Sequence, residues 1–298
     1  MWRENLQSIM KTEILQEYKK VRRRYMAREE NIKIFEDTAE QLKTDPVLVE
    51  ALQESLKGQK LVTEEMAVAA FNRDRYAEEA DVVISKKRSL AAAAAYKGQK
   101  TAVLNFASAT HPGGGVVGGA GSQEECICRC SGLYFCLNTE EMQKGFYGPH
   151  KKARDPIHND DIIYTPGVTV FKSDTASPVL LPKEDWYPVN VITCAAPNLR
   201  QNPGGEGPLV DDRTLLKIHE KRLTRILDVA AAEGNEVVIL GAFGCGVFRN
   251  DPDIVARAAR NVLRDYLHVF RTIEYALYCS PRNERNYRAF ERVLKGYL

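Results

Sequence analysis

The fold is decided at residues 104–125, which read LNFASATHPGGGVVGGAGSQEE. An apolar run that begins at Ala102 and ends near Phe106 predicts a buried strand, and Ser122 opens a helical pattern. Between them lies the first glycine loop, HPGGGVVGGAG at residues 111–121. Glycine lets a backbone approach a phosphate or sugar closely, and the start of a helix favours anions. This order of strand, loop and helix predicts an anion-binding loop at the end of a buried strand.

A second glycine loop, GAFGCGVFRNDP at residues 241–252, also lies between an apolar run and a helical pattern. Two loops of this kind could hold opposite sides of one diphosphate. Neither is followed by the Gly-Lys-Ser/Thr of a P-loop, and neither matches the dinucleotide-binding fingerprint with its downstream acidic residue. The sequence therefore disfavours an ATPase and a nicotinamide-dependent dehydrogenase.

Working outward, short apolar and β-branched runs predict buried strands at 82–84, 102–104, 162–164, 189–192, 237–240 and 273–278. Helical patterns lie between them at 88–97, 122–137, 212–233, 252–270 and 283–295. Asp211 or Asp212 caps one helix and Gly234 ends it, while Asp251 followed by Pro252 opens the next. Alternating strands and helices predict an α/β fold, with a sheet covered by helices on both faces.

The composition is that of a globular protein. Among 298 residues, 42 Lys and Arg stand against 40 Asp and Glu, so the net charge of +2 gives no long-range field that would recruit nucleic acid or an anionic membrane. No stretch approaches the ~20 apolar residues of a membrane span, and the charged opening MWRENLQSIMK does not resemble a signal peptide. We expect a soluble cytoplasmic protein, monomeric, with no membrane or direct nucleic-acid partner.

Residues 4–58 are charged and helical in pattern. We therefore expect an N-terminal helical extension at residues 1–60, followed by the main domain at 61–298. The basic run at residues 22–24 could contact nucleic acid, although a solvated helix face is the safer interpretation.

Seven cysteines, an odd number in a chain of this length, indicate reduced thiols rather than a disulfide framework. Cys126, Cys128, Cys130 and Cys136 suggest zinc, but a structural zinc site needs a distant second pair of ligands. On a helix, Cys126 and Cys130 share a face and Cys128 does not. We expect small buried residues here and no metal site.

Ser122 and Glu125 have the spacing of a capping box, which is a purely structural interpretation of this segment. Successive helical residues point about 100° apart, so Glu124 and Glu125 cannot perform the same task. One of them can meet the reacting bond of a ligand, while the other holds a hydroxyl group or the backbone.

The triplet GGG at 113–115, seven intervening residues and the triplet QEE at 123–125 resemble the signature of the poly(ADP-ribose) glycohydrolases. In that family GGG is followed after six to eight residues by QEE. The stretches at 104–112, 131–134 and 241–252 resemble the compact microbial branch in particular. The resemblance extends from about residue 65 to the C-terminus, and the helical N-terminal segment matches more loosely.

This resemblance implies a macrodomain-like three-layer α/β/α sandwich with a mixed sheet, and ADP-ribose bound across its crest. Glu125 would be the catalytic residue and Glu124 would hold hydroxyl groups of the scissile ribose. Phe248 or Phe243 would pack on the distal ribose, with core packing as the alternative for either ring. Asn105 would lie on the ligand side, or only tie loops together. The implied ligand-binding residues are Asn105, Ala107, Ser108, Gly113, Gly114, Gly115, Val116, Gln123, Phe243, Gly244, Cys245, Gly246, Val247 and Phe248.

The implied reaction is hydrolysis of the ribose–ribose O-glycosidic bond of poly(ADP-ribose), free or on ADP-ribosylated proteins, with release of ADP-ribose. A single glutamate would act first as acid and then as base, without metal or cofactor. Two alternatives stay open, an ADP-ribose-binding module without turnover and a mono-ADP-ribosyl hydrolase. A cysteine hydrolase that uses Cys245 is weaker, because no histidine lies near it in sequence.

Overall fold

The computed structural model of the protein describes residues 25–202, 205–279 and 283–298. The basic run at 22–24 and the first part of the helical extension lie outside the described residues. Helices are α1 (25–44), α2 (Pro46–Gly58), α3 (Ser89–Ala93), α4 (Gln123–Cys130), α5 (Leu133–Leu137), α6 (Glu140–Met142), α7 (Gly148–Ala153), α8 (Asp212–Ala232), α9 (Pro252–Leu263) and α10 (Arg285–Leu294). Strands are β1 (Lys60–Val62), β2 (Asp81–Ser85), β3 (Thr101–Phe106), β4 (Ile162–Val170), β5 (Tyr187–Cys194), β6 (Val237–Leu240) and β7 (Thr272–Ala276).

The described strands form one mixed sheet in the order β1-β4-β5-β3-β6-β7-β2. The five strands from β5 to β2 run parallel to one another, while β4 is antiparallel to both β5 and β1. All six predicted strands are confirmed, and only the three-residue strand β1 was not predicted. The carboxyl ends of β3, β6, β7 and β2 consequently meet at one edge of the sheet.

Alternate side chains of the central strands pack into two hydrophobic cores, one on each face of the sheet. Ala102 and Leu104 of β3 pack with helices α8, α9 and α10, whereas Val103 packs on the opposite face with α3 and α4. A side-chain period of two produces this division, because successive residues of a strand face opposite sides of the sheet. The predicted α/β sandwich with helices on both faces is confirmed.

The helix predicted at 122–137 is interrupted at residues 131–132, so that part of the prediction is wrong. Ser131 has an extended backbone and forms an isolated bridge with Val170, while its hydroxyl group donates to the carbonyl of Ile127. That hydroxyl also accepts the N–H of Leu133, the first residue of α5. The Ser131 side chain therefore replaces backbone hydrogen bonds that a continuous helix would form at this turn. Helical periodicity in the sequence does not reveal such an interruption.

Two predicted helix starts are confirmed by their capping bonds. The Asp211 carboxylate accepts the N–H of Thr214 at 3.0 Å, and the Asp251 carboxylate accepts the N–H of Asp253 at 2.8 Å. Each aspartate satisfies one of the free N–H groups at the start of a helix. The cap at Asp251 fixes where the second glycine loop ends and α9 begins.

Helices α1 and α2 pack directly on the main domain. The buried Lys172 ammonium donates to the carbonyl of Ile34 and to the hydroxyl of Thr38, both at 2.8 Å. The Thr38 hydroxyl in turn donates to the carbonyl of Arg129 in α4 at 2.6 Å. The Asn31 side chain also donates to the carbonyl of Gly119 at 3.0 Å, so α1 supports the first glycine loop.

The four cysteines of the segment from 126 to 136 are buried, as predicted. Within the described chain, no helix is both long enough and apolar enough to span a membrane.

Candidate active site

A cavity of about 410 Å³ opens at the edge where the parallel strands end. Its walls include Phe106 at the end of β3, Ala242 after β6, Leu277 after β7 and Arg88 after β2. In open α/β sheets, ligands bind outside the carboxyl ends of the strands, because the loops that diverge there leave a crevice. The fold thus places this cavity where a ligand is expected.

Both glycine loops and the start of α4 contribute to this cavity. Of the predicted site residues, the cavity is lined by Ser108, Gly114, Gln123, Glu124, Glu125, Phe243, Gly244, Gly246, Val247 and Phe248. The remaining six, Asn105, Ala107, Gly113, Gly115, Val116 and Cys245, are not part of its lining. Segments more than a hundred residues apart in sequence therefore meet at one cavity.

Gln123 completes the end of β3. Its side-chain carbonyl accepts the N–H of Phe106 at 2.9 Å, and its amide donates to the carbonyl of Leu104 at 2.7 Å. Strand β6 pairs with β3 only as far as Val103, so the last residues of β3 need other partners. The Gln123 side chain provides them and thereby fixes α4 to the central strand.

Glu124 is buried and held by two donors. One carboxylate oxygen accepts the N–H of Ser108 at 2.8 Å, and the other accepts the Asn105 amide at 3.3 Å. Burial, together with the nearby charge of Glu125, raises the pKa of Glu124 to about 8. Glu124 therefore retains a proton at neutral pH despite its position in the first turn of a helix.

Glu125 is held by one oxygen and free at the other. Its Oε1 accepts the N–H of Gly115 at 2.9 Å, whereas Oε2 is buried without a hydrogen-bond partner. The Ser122 side chain forms no capping bond, so the capping-box interpretation is wrong. A buried carboxylate oxygen without a partner is costly, and such atoms persist where a ligand group can satisfy them.

Gly114 brings the two carboxylates together. Its φ of +61° is left-handed, and a methyl group added to it would lie 2.6 Å from Glu125 Oε1 and 2.9 Å from Glu124 Oε2. Both oxygens therefore stand within 3 Å of a single point above the loop. Only glycine combines this backbone conformation with this close approach.

The predicted residues outside the lining hold the walls in place. Asn105 donates to Glu124 and also to the Thr193 hydroxyl at 3.2 Å, which ties β3 to β5. Ala107 extends the backbone pairing, since its N–H donates to the carbonyl of Cys194 at 3.0 Å, and Val116 is fully buried. Asn105 Oδ1 is buried and has no hydrogen-bond partner among the described residues, so the geometry fits both interpretations of Asn105.

The second glycine loop is fixed from below by Asn250 and His219. The buried Asn250 amide donates to the carbonyls of Pro197, Gly244 and Phe248, so its Oδ1 is an acceptor. His219 Nε2 lies 2.9 Å from that Oδ1 and must carry the proton. Burial lowers the pKa of His219 to about 4, so this imidazole is neutral at pH 7.

Three consecutive N–H groups of this loop remain unused. Among the described residues, no hydrogen bond involves the backbone N–H of Gly246, Val247 or Phe248, whereas the N–H of Arg249 donates to the carbonyl of Gly246. Successive free N–H groups in a turn form a concave anion-binding site. The loop can therefore receive the oxygens of a phosphate group.

The two candidate phenylalanines differ in exposure. Phe243 is buried and packs near Phe106 and His219, with ring centroids 5.8 and 6.2 Å apart. Phe248 is half-buried at the cavity, and its ring centroid lies 6.3 Å from that of His158. Phe243 thus has a core-packing role, and Phe248 presents the more accessible ring.

Arg88, Tyr278 and Asp174 also line the cavity, but the sequence patterns did not identify them. Arg88 stacks over the Tyr278 ring at 4.2 Å and contacts the Cys126 sulfur at 3.2 Å, and the Asp174 carboxylate lies 4.0 Å away. Because Arg88 follows β2 and Tyr278 follows β7, the rule on parallel strand ends could have found both. Asp174 lies in an irregular segment that carries no such signal. In the three described segments, no group of three or more His, Cys, Asp or Glu side chains is arranged to hold a metal ion.

Comparison with known proteins agrees with this geometry. The sequence model described as the catalytic domain of microbial-type poly(ADP-ribose) glycohydrolase (PARG) matches residues 22–173. The structure is similar to that of PARG from Thermomonospora curvata, with 30% identity, a TM-score of 0.75, and coverage of 88% of this chain and 98% of that chain. It is also similar to PARG from Deinococcus radiodurans in complex with ADP-ribose, with 34% identity, a TM-score of 0.72, and coverage of 82% and 97%. No curated protein sequence matches the chain.

Proposed function

Because the chain belongs to the microbial-type poly(ADP-ribose) glycohydrolases, we propose that Glu125 is the carboxylate with which it hydrolyses the ribose–ribose O-glycosidic bonds of poly(ADP-ribose). One observation carries this assignment. Glu125 Oε1 is fixed by the Gly115 N–H, while Oε2 is buried at the cavity without a partner. A general acid needs this combination of a held carboxylate and one oxygen available to the reacting bond.

Glu125 first gives a proton to the departing ribose oxygen and then takes one from the attacking water. Glycosidases generally divide these tasks between two carboxylates. Here Glu124 and Glu125 approach the same point above Gly114, and Glu124 retains a proton at neutral pH. Glu124 also orients hydroxyl groups of the scissile ribose.

The second glycine loop binds the diphosphate in this proposal. The unused N–H groups of Gly246, Val247 and Phe248 support it, because they can donate to phosphate oxygens. The half-buried Phe248 ring packs on the distal ribose. The diphosphate then lies near the reacting ribose, where its charge helps to stabilise the oxocarbenium-like transition state.

We also propose the setting in which this activity operates. The chain divides into an N-terminal extension, 1–60, and a catalytic domain, 61–298; in the described part of the extension, Thr38 and Asn31 contact α4 and the first glycine loop. All seven cysteines are free thiols, which fits a reducing compartment such as the cytoplasm. The protein acts as a monomer on the polymer or on ADP-ribosylated proteins.

Product identification tests the reaction. The protein is incubated with purified poly(ADP-ribose), and the products are separated and identified by mass. Free ADP-ribose as the main product is the expected result. Release from a singly modified protein, with intact polymer, would assign the site to mono-ADP-ribose instead. Binding of ADP-ribose without any product would reduce the protein to a binding module.

A further inference from the structure

The three non-glycine residues with left-handed backbones in the described chain are two arginines and a histidine. They are Arg154 with φ +53°, His158 with φ +60° and Arg249 with φ +62°. The left-handed conformation costs free energy for any residue except glycine. Non-glycine residues in this conformation therefore tend to occur where the side chain has a function. None of the three belongs to the lining of the cavity, but Arg249 follows Phe248 in the chain and the His158 ring centroid lies 6.3 Å from that of Phe248, which does line it.

Hydrogen bonds join three loops at this place. The N–H of Asn198 donates to the carbonyl of Pro156 at 2.7 Å, and the N–H of Leu199 donates to the carbonyl of Phe248 at 2.9 Å. These bonds place Arg154, Arg200 and Arg249 on adjacent loops. We call these three residues the arginine surface.

The guanidinium groups of the arginine surface have no partners among the described residues. All three residues are exposed, and no guanidinium group among them forms a hydrogen bond or ion pair with any residue that the structure describes. The neighbouring carboxylates of Asp155 and Glu206 form hydrogen bonds within their own loops. Three unpaired guanidinium groups favour an anionic ligand, because each can donate two hydrogen bonds to one phosphate.

The arginine surface adjoins the cavity, and this position indicates which anion it binds. Phe248 lines the cavity and Arg249 is the next residue, so their Cα atoms are about 3.8 Å apart. A polymer with one unit in the cavity must leave it past the rim. We propose that the arginine surface binds the diphosphate of the neighbouring ADP-ribose unit, and so favours polymer over single units. This inference rests on the proposed function.

The double variant Arg154→Gly/Arg249→Gly tests it. Glycine accepts both left-handed backbones, so the variant should fold, while two guanidinium groups are removed. We expect KM for long poly(ADP-ribose) to rise about tenfold, with kcat and the Kd for ADP-ribose unchanged, because two exposed charge contacts are lost. The control Arg257→Ala/Arg260→Ala removes the same charge from exposed positions of α9 and should leave KM unchanged.

Three results would overturn the inference. The first is a KM of the double variant equal to that of the control, and the second is a Kd for ADP-ribose that rises as much as KM. The third is a double variant that loses affinity for a single-stranded oligonucleotide while its polymer kinetics stay unchanged. The last result would assign the surface to nucleic acid. Polymer binding to the catalytically impaired Glu125→Gln protein tests the surface without turnover. Failure of the reaction and failure of the surface are therefore distinguishable.

Discussion

The two glycine loops face the same cavity but differ in how closely they are enclosed. A methyl group at Gly114 of the first loop would meet both carboxylates within 3 Å, whereas one at Gly246 of the second loop would meet no heavy atom within 4 Å. The carboxylates of Glu124 and Glu125 already fill the space above the first loop. The second is open and presents free N–H groups. The difference supports the proposal that the first loop positions the reactive carboxylates and that the second loop binds the ligand.

The largest effect should come from Glu125→Gln, which changes only the chemistry of the first loop. Glutamine can still accept the Gly115 N–H but cannot transfer the proton, so kcat should fall by on the order of 10² to 10⁴. The Kd for ADP-ribose and Tm should change little. Turnover of the polymer, calorimetric titration and thermal unfolding measure these quantities. Glu141→Gln, at an exposed position of α6, is the matched control. Parental turnover by a folded Glu125→Gln protein would contradict the assignment.

A smaller loss is expected from Gly114→Ala, which keeps both carboxylates but displaces them. The added methyl group lies 2.6 Å from Glu125 Oε1, and a shift of this kind should lower kcat/KM about 100-fold. Gly98→Ala is the control for backbone strain, because Gly98 has a φ of +88° with no atom within 4 Å. Both variants should lose stability, about 1–3 kcal/mol by chemical denaturation. An equal kinetic loss in both would show that strain alone is responsible.

The second loop is tested by Gly246→Val. Its side chain has room, so Tm should be unchanged, but it blocks the approach of a phosphate to the free N–H groups. Loss of one hydrogen bond to a charged group is worth about 1.5–3 kcal/mol, so the Kd for ADP-ribose should rise at least about tenfold. Gly118→Val places the same side chain in the first loop, also without a close neighbour, and should not alter the Kd. Equal affinities would assign the second loop a structural role only.

Much of this comparison could be predicted from the sequence. The six strands and the two loops follow from local patterns, since periodicity and glycine placement are properties of adjacent residues. The distinction between Gly114 and Gly246 could not be predicted, because it depends on which side chains fill the space above each loop. Asp174 was missed for the same reason, whereas Arg88 could have been found from its position after β2. Asp174 reaches the cavity from an irregular segment, and sequence spacing does not encode that approach.

The two loops should also respond to pH in opposite directions. In the first loop, the pKa of Glu124 is raised to about 8 from an ordinary value of 4.5. Between these values the folded state binds more protons than the unfolded state, so the stability from this residue is present below pH 4.5 and is lost as pH rises through 8. Glu124→Gln imitates the protonated form and should flatten this decline, by chemical denaturation at several pH values. It should also weaken turnover, because the amide no longer orients the ribose hydroxyls as the carboxyl group does. An unchanged slope would show that Glu124 is ionised in the folded protein.

The opposite case lies beneath the second loop in His219, whose pKa is lowered to about 4 from 6.5 by burial. The unfolded state here binds more protons between the two values, so stability is present above pH 6.5 and is lost as pH falls through 4. This residue alone should make the protein about 3 kcal/mol less stable at pH 4 than at pH 7. In His219→Gln, an amide can still donate to Asn250 Oδ1 but does not titrate. Its stability should therefore fall less steeply with acid, even if packing against Phe243 is weaker throughout. The slope, rather than the absolute stability, separates the two effects. A variant with the parental slope would show that acid acts on the second loop through another group.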